Sequence, residues 1–244
     1  MDVNERGDQP LVVTSGQEQP VSRLGGWGKT LWRLRRGIGL LFLVVAGLVA
    51  WLAFPQPDPA LWPPAVRDDR NVVYICLNGF HSFLTFPDYQ LGFFQEWHMG
   101  AETWYLNGAF PWHLRVSALF RPVSATIRFG LFPFTSWERR SLPEAKVYKF
   151  WLTPSGRERL VAFLHRQRGK MLEQKTGFTY FASTRNWSPL GNCNGFIGGA
   201  LQAAGLPVRE SVSLEGLTMQ WQLDRCRRYQ QAWLDRLAAV AASP

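Results

Sequence analysis

The sequence predicts an α+β domain carried behind one apolar helix long enough to cross a bilayer. Three observations predict it. Residues 37–54 are eighteen in a row without a charge. Beyond them, short β-branched and aromatic runs alternate with turn residues, the pattern of strands. Interleaved with these runs are three segments, 153–174, 192–208 and 224–242, that carry helical spacing or helix-end signals.

Each element follows in chain order. Residues 1–30 are polar and rich in Gly, Gln, Glu and Pro, and read as a disordered cytoplasmic tail. Residues 31–54 read as a transmembrane helix. The uncharged run, GIGLLFLVVAGLVAWLAF, spans roughly 27 Å at 1.5 Å per residue. Trp32 and Trp51 stand near its ends, where interfacial aromatics belong. Arg23, Lys29, Arg33, Arg35 and Arg36 precede most of the run, and the next basic residue is Arg67. That asymmetry puts the N-terminus in the cytoplasm and the remainder across the membrane. A cleaved signal peptide would be shorter and end on small residues; AFPQPDP does not fit.

Residues 55–70 hold five prolines and read as an extended linker. The domain is then expected over 71–244. NVVYICLNG is a strand stopped by Asn-Gly, and FHSFLTFP a second strand ended by Pro87. FFQEWHMGAETWYL reads as one or two strands broken near Gly100, HLRVSALF as a short helix, and SATIRFGLF as weakly strand-like. AKVYKFWLT alternates well. Thr153 and Pro154 then open a helix expected to run to about Gln174, with Leu160, Phe163 and Leu164 as its apolar stripe. GFTYFAST is another short strand. Residues 192–208 form a helix small on one side (Gly195, Gly198, Gly199, Ala203), closed by Gly205 and Pro207. Residues 224–242 form an amphipathic helix. Five or six strands are expected.

Composition removes several functions. Twelve Trp and seventeen Phe among 244 residues exclude a disordered chain. Three cysteines, none in a CxxC pair, exclude a disulfide scaffold and a zinc ribbon, and four scattered histidines offer no metal cluster. No glycine loop for a nucleotide is present, so no cofactor and no metal are expected. The net charge of +9 is spread, with its densest group at Arg225, Arg227 and Arg228, and no nucleic-acid-binding motif accompanies it. A basic exterior facing anionic lipid or an acidic polymer fits equally well.

The chemistry points to Cys193, at the first turn of the small-residue helix. Unpaired N–H groups and the positive dipole end favour a thiolate there, and the same N–H groups suit an oxyanion. Asn192 and Asn194 flank it and can cap the helix or line that oxyanion site. A thiol nucleophile also needs a base brought near in space. His113 and His165 read as surface or structural residues. Cys76 and Cys226 form an even remainder that could pair in an oxidising compartment; Cys76 reads equally as a small apolar filler.

At this point the residues carry a resemblance. NCNGFIGGALQAAGLPV at 192–208 resembles the nucleophile helix of NlpC-type cysteine peptidases, roughly Asp-Cys-Ser-Gly-Phe-Val followed by a helix ending in Gly-Ile/Leu-Pro. In those enzymes the catalytic His follows the Cys. Here His81, in LNGFHSFLTF, precedes it by more than a hundred residues. That order resembles the circularly permuted branch of the papain-like superfamily, which includes the lecithin retinol acyltransferase type. More closely, the chain is similar to a bacterial membrane-associated family of conserved hypothetical proteins of urease regions, through NGFHS at 78–82, EWHMGAETWYL at 96–106, YFAS at 180–183 and NCN through AGLP at 192–207.

The resemblance implies a circularly permuted papain-like domain with an antiparallel sheet and packed helices, standing in the periplasm behind an inner-membrane anchor. It implies Cys193 as nucleophile and His81 as its base. Glu96 and His98 are the candidates for a third, orienting group; at spacing two on a strand they share a face. Two positions depart from the family. His-Met-Gly-Ala replaces a Gly-Trp-Gly-Asp-like segment, and Phe83 replaces an Asp two after the histidine. Two functions follow. The first is a membrane-anchored thiol hydrolase or acyltransferase on a peptidoglycan peptide or a lipid acyl group. The second is a non-catalytic envelope domain that keeps the fold and binds with the old groove.

Overall fold

A computed structural model describes residues 25–53, 55–79, 81–108, 111–118, 120–136, 145–188, 191–213 and 216–242. The chain divides into two compact units, Met1–Leu52 and Ala53–Pro244.

The first unit is helix α1, Gly25–Ala53. It starts six residues before the expected boundary, and the rest of the expected tail, 1–24, lies outside the described residues. The Arg36 guanidinium sits 3.4 Å above the Trp32 ring, one turn back. Among the described residues no helix is long and apolar enough to cross a membrane. The uncharged run extends past them, because the side chains of 48–54 lie outside the described set.

The second unit is α+β. Seven strands are described: β1 (Val72–Asn78), β2 (His81–Asp88), β3 (Phe93–Ala101), β4 (Val123–Pro133), β5 (Lys146–Trp151), β6 (Arg168–Lys175) and β7 (Phe178–Trp187). They form one antiparallel sheet in the order β5-β1-β2-β3-β4-β7-β6. The helices are α2 (Glu102–Asn107), α3 (Trp112–Ser117), α4 (Pro154–Gln167), α5 (Cys193–Ala203) and α6 (Gly216–Ala241).

Period-two alternation gives the sheet two unlike faces. Val73, Ile75 and Leu77, Leu84 and Phe86, Trp97 and Met99, and Ala125 and Ile127 turn to one side. There they meet Leu160 and Leu164 of α4, Ile197 and Leu201 of α5, and Leu223 and Cys226 of α6 in a single core. The opposite face receives Cys76, Phe83, Glu96, His98, Thr126 and Arg128. This places Cys76 and Cys226 on opposite sides of the sheet. Both are free and buried, so the disulfide considered for them does not form.

Three expectations are corrected. Residues 102–107 are a short helix rather than a second strand, opened after Ala101 and closed by Gly108 at φ 70°. The helix from Pro154 stops at Gln167, and Arg168–Lys175 becomes an edge strand instead. Thr176 (φ 51°) and Gly177 (φ 79°) turn that strand tightly into β7, which supplies the ladder partner. The proline-rich stretch is not a free linker. The Asp58 N–H donates to Gly205 O, Leu61 and Trp62 are buried, and Thr153 Oγ1 donates to Leu61 O.

Thr153 caps α4, accepting the Gly156 N–H at 3.0 Å, and Leu160, Phe163 and Leu164 are its buried stripe. At the far edge, Gln230 of α6 covers β5. Its Oε1 accepts the Trp151 N–H and its Nε2 donates to Lys149 O, so that strand edge is not left open.

Candidate active site

The site begins where the sheet opens. The β2–β3 ladder runs from Asp88↔Phe93 to Leu84↔Trp97 and stops there. Beyond it, β3 continues beside β4 while residues 81–83 stay paired only with β1. The start of α5 meets β2 at this opening. The Cys193 sulfur takes hydrogen bonding from the Ser82 backbone N–H. The Ser82 hydroxyl, fully buried and without a partner of ordinary hydrogen-bond geometry, lies against the same sulfur.

On the other side of β2, three predicted residues form a chain. Glu96 Oε1 lies 2.7 Å from His98 Nε2. His98 Nδ1 lies 2.9 Å from His81 Nε2. The shared strand face expected of Glu96 and His98 is therefore real, and both are buried. The two imidazoles are nearly parallel, at 10°. Phe83 stacks on His98 with centroids 4.7 Å apart, and the Trp104 edge meets His81 at 6.0 Å. Phe83 thus packs the relay rather than adding a charge to it.

Proton counting assigns the tautomers. A carboxylate can only accept, so His98 Nε2 carries a hydrogen and donates to Glu96. His98 Nδ1 then presents a lone pair, which accepts from His81 Nε2–H at 2.9 Å and is shared with the Arg128 guanidinium at 3.2 Å. His81 Nδ1 is left as a bare acceptor, buried and with no hydrogen-bond partner. Burial first, then His98 and the Arg128 guanidinium, pushes His81 down to about 3, so the ring is neutral at ordinary pH.

Sequence reasoning missed Arg128. Its guanidinium stands 2.9 and 3.2 Å from the His98 ring nitrogens, 3.9 Å from Glu96 Oε1, and 4.2 Å above the Phe178 ring centroid. Its signal was one cation inside an alternating apolar strand, SATIRFGLF. Tyr105 was missed as well. Its ring lies flat on Gly100, where a Cβ would sit 2.7 Å away, so only glycine leaves it room. The Tyr105 hydroxyl and Arg128 Nε are buried and unpartnered.

Asn192 is the cap of α5: its Oδ1 accepts the N–H groups of Asn194 (2.9 Å) and Gly195 (3.2 Å). Two of the helix-start N–H groups on which the oxyanion reading relied are therefore occupied. Asn194 is buried with its Oδ1 unpartnered, so it caps nothing. The Cys193 thiol is raised, not lowered, because burial outweighs the donors around the sulfur; 7% of the residue is exposed. The glycine face of α5 packs closely on its neighbours. A Cβ at Gly198 would meet Ser213 Oγ, and one at Gly199 would meet Phe163 and Glu210 at 2.7 Å. The close approach is to α4 and the 210–213 turn.

His165 packs edge-on against Trp97 at 5.4 Å, and His113 stands on α3, apart from the relay. Among the described residues no group of three or more His, Cys, Asp or Glu side chains is placed to hold a metal ion. No family model, no curated protein and no solved structure matches this chain.

Proposed function

We propose that the second unit is a cysteine hydrolase or acyltransferase of permuted papain-like organisation, acting on an amide or ester. Cys193 is the nucleophile, His81 its base, and His98 and Glu96 hold His81 in the correct tautomer. The observation that carries this reading is the Glu96–His98–His81 relay, which holds His81 by Nε2 and leaves its Nδ1 without a partner. Most buried histidine nitrogens have a hydrogen-bond partner; His81 Nδ1 has none and is left able to take a proton.

The resting pair is neutral thiol and neutral imidazole. Attack therefore couples two events: the Cys193 proton moves to His81 Nδ1 as sulfur bonds to the substrate carbonyl carbon. The C–N or C–O bond then breaks, and the leaving group takes the proton back from His81. Water or an amine, losing a proton to the same nitrogen, then attacks the thioester carbonyl; the C–S bond breaks and the departing sulfur takes that proton from His81, restoring the thiol. The Tyr105 hydroxyl and Arg128 Nε–H are the unpartnered donors offered to the developing oxyanion. The uncharged run 37–54 and the preceding cations support an anchored chain with this domain on the far side of a bacterial inner membrane. The substrate is then an envelope amide or ester, in peptidoglycan or lipid.

The burial of Cys193 favours the second reading, a binding domain without catalysis, and one experiment separates the two. Incubation with p-nitrophenyl acetate, followed by peptide mass analysis, is expected to place an acetyl group on Cys193. His81→Ala should slow this by about 10²- to 10⁴-fold, the usual worth of a positioned base. No acetylation at Cys193, or acetylation indifferent to His81, leaves the binding domain as the reading.

A further inference from the structure

Neighbouring antiparallel strands need only a few residues between them, yet 102–122 join β3 to β4. This crossover carries Trp104 against His81 at one end. At the other, Trp112, Val116 and Phe120 recur at spacing four along α3 and the turn that continues it. They are 75%, 49% and 82% exposed, while Ala118 between them is buried. Single exposed apolar residues are ordinary, but three large ones on a six-residue helix and the turn beyond it make a patch that needs a partner.

We propose that this row is a bilayer-contacting surface: Trp112, Val116 and Phe120 insert at the headgroup–acyl boundary and hold the opening of the site against the membrane. The side-chain chemistry is that of interfacial segments, with Trp and Phe on the apolar side and Arg121 beside them for anionic headgroups. Residues 55–244 carry a net +7, which anionic lipid attracts. The inference rests on the anchor reading and favours a lipid acyl group over a peptidoglycan peptide as substrate.

The test uses the full chain in vesicles of phosphatidylcholine and phosphatidylglycerol. Cys193, the proposed nucleophile, is first replaced by Ser so that it cannot take the label. Cys76 and Cys226 are buried, so a fluorophore then attaches selectively at Val116→Cys or Phe120→Cys, and at Leu217→Cys, an exposed residue of α6, as control, while acetylation is read on the unsubstituted chain. Nitroxide-labelled lipid is expected to quench the first two several-fold and the third hardly at all. Equal, water-like signals at all three positions overturn the proposal. So does a blue shift at 116 and 120 without lipid quenching, which would mark a second copy as the occupant. Carbonate extraction of the same vesicles reports the anchor, and acetylation of Cys193 reports the chemistry, so failure of the patch is distinguishable from failure of either.

Discussion

His81 is held by one ring nitrogen and left bare at the other, and this asymmetry makes the site more than a buried polar cluster. Glu96 and His98 were legible in the sequence because their spacing of two needs only a strand to bring them together. Arg128 and Ser82 were not. Arg128 arrives from the next strand through the His98↔Arg128 register, and Ser82 matters only because a ladder stops. The direction of the Cys193 shift was misjudged for a related reason: a helix dipole can be read from sequence, but burial cannot. At this scale the relay is testable. His98→Ala should reduce acetylation of Cys193 roughly tenfold or more by freeing the His81 tautomer. It should leave the far-ultraviolet spectrum unchanged. An unaltered rate would make His98 a packing residue only.

The elements were read best where a single local signal decides them. Thr153 and Pro154 announced α4 and the structure agrees, down to the hydroxyl accepting the Gly156 N–H. Replacing Thr153 with Ala should lower stability by about 1 kcal/mol, seen as an earlier urea midpoint with an unchanged slope. A slope change would mean that the substitution alters the compactness of one state or the two-state character of unfolding, and not the cap alone. The elements misread were those decided by partners. RGKMLEQK continues a helical pattern on paper, but β7 offers it a free edge and the chain takes it. The expected linker became core because Leu61, Trp62 and Asp58 have α4 and the α5 terminus to pack on. Proline content alone says nothing of that.

Across the whole molecule, the pH dependence of stability follows from groups on both faces of the sheet. His81 is held far below its unfolded value, and His165 is lowered too, by burial. Below an unfolded value of about 6.5 the unfolded chain binds protons that the native state refuses. Stability is therefore full above that pH and falls as pH drops towards 3. At the alkaline end burial raises Cys76 to about 12 and raises Cys193 and Cys226 as well. Their contribution is present below the unfolded thiol value of about 8.5 and is lost above it. Urea midpoints across pH should trace this plateau, and His81→Gln should shrink the acid-side fall. An acid limb unchanged by His81→Gln would mean that His81 titrates normally.

The relay itself is read most directly by nitrogen-15 NMR of the histidine rings across pH about 5 to 8. The expected His81 signals are those of a neutral ring protonated at Nε2, with a bare Nδ1 that does not titrate in this range. A proton resting on Nδ1, or a ring that titrates near its ordinary value of about 6.5, would contradict the assignment of His81 as the base of Cys193.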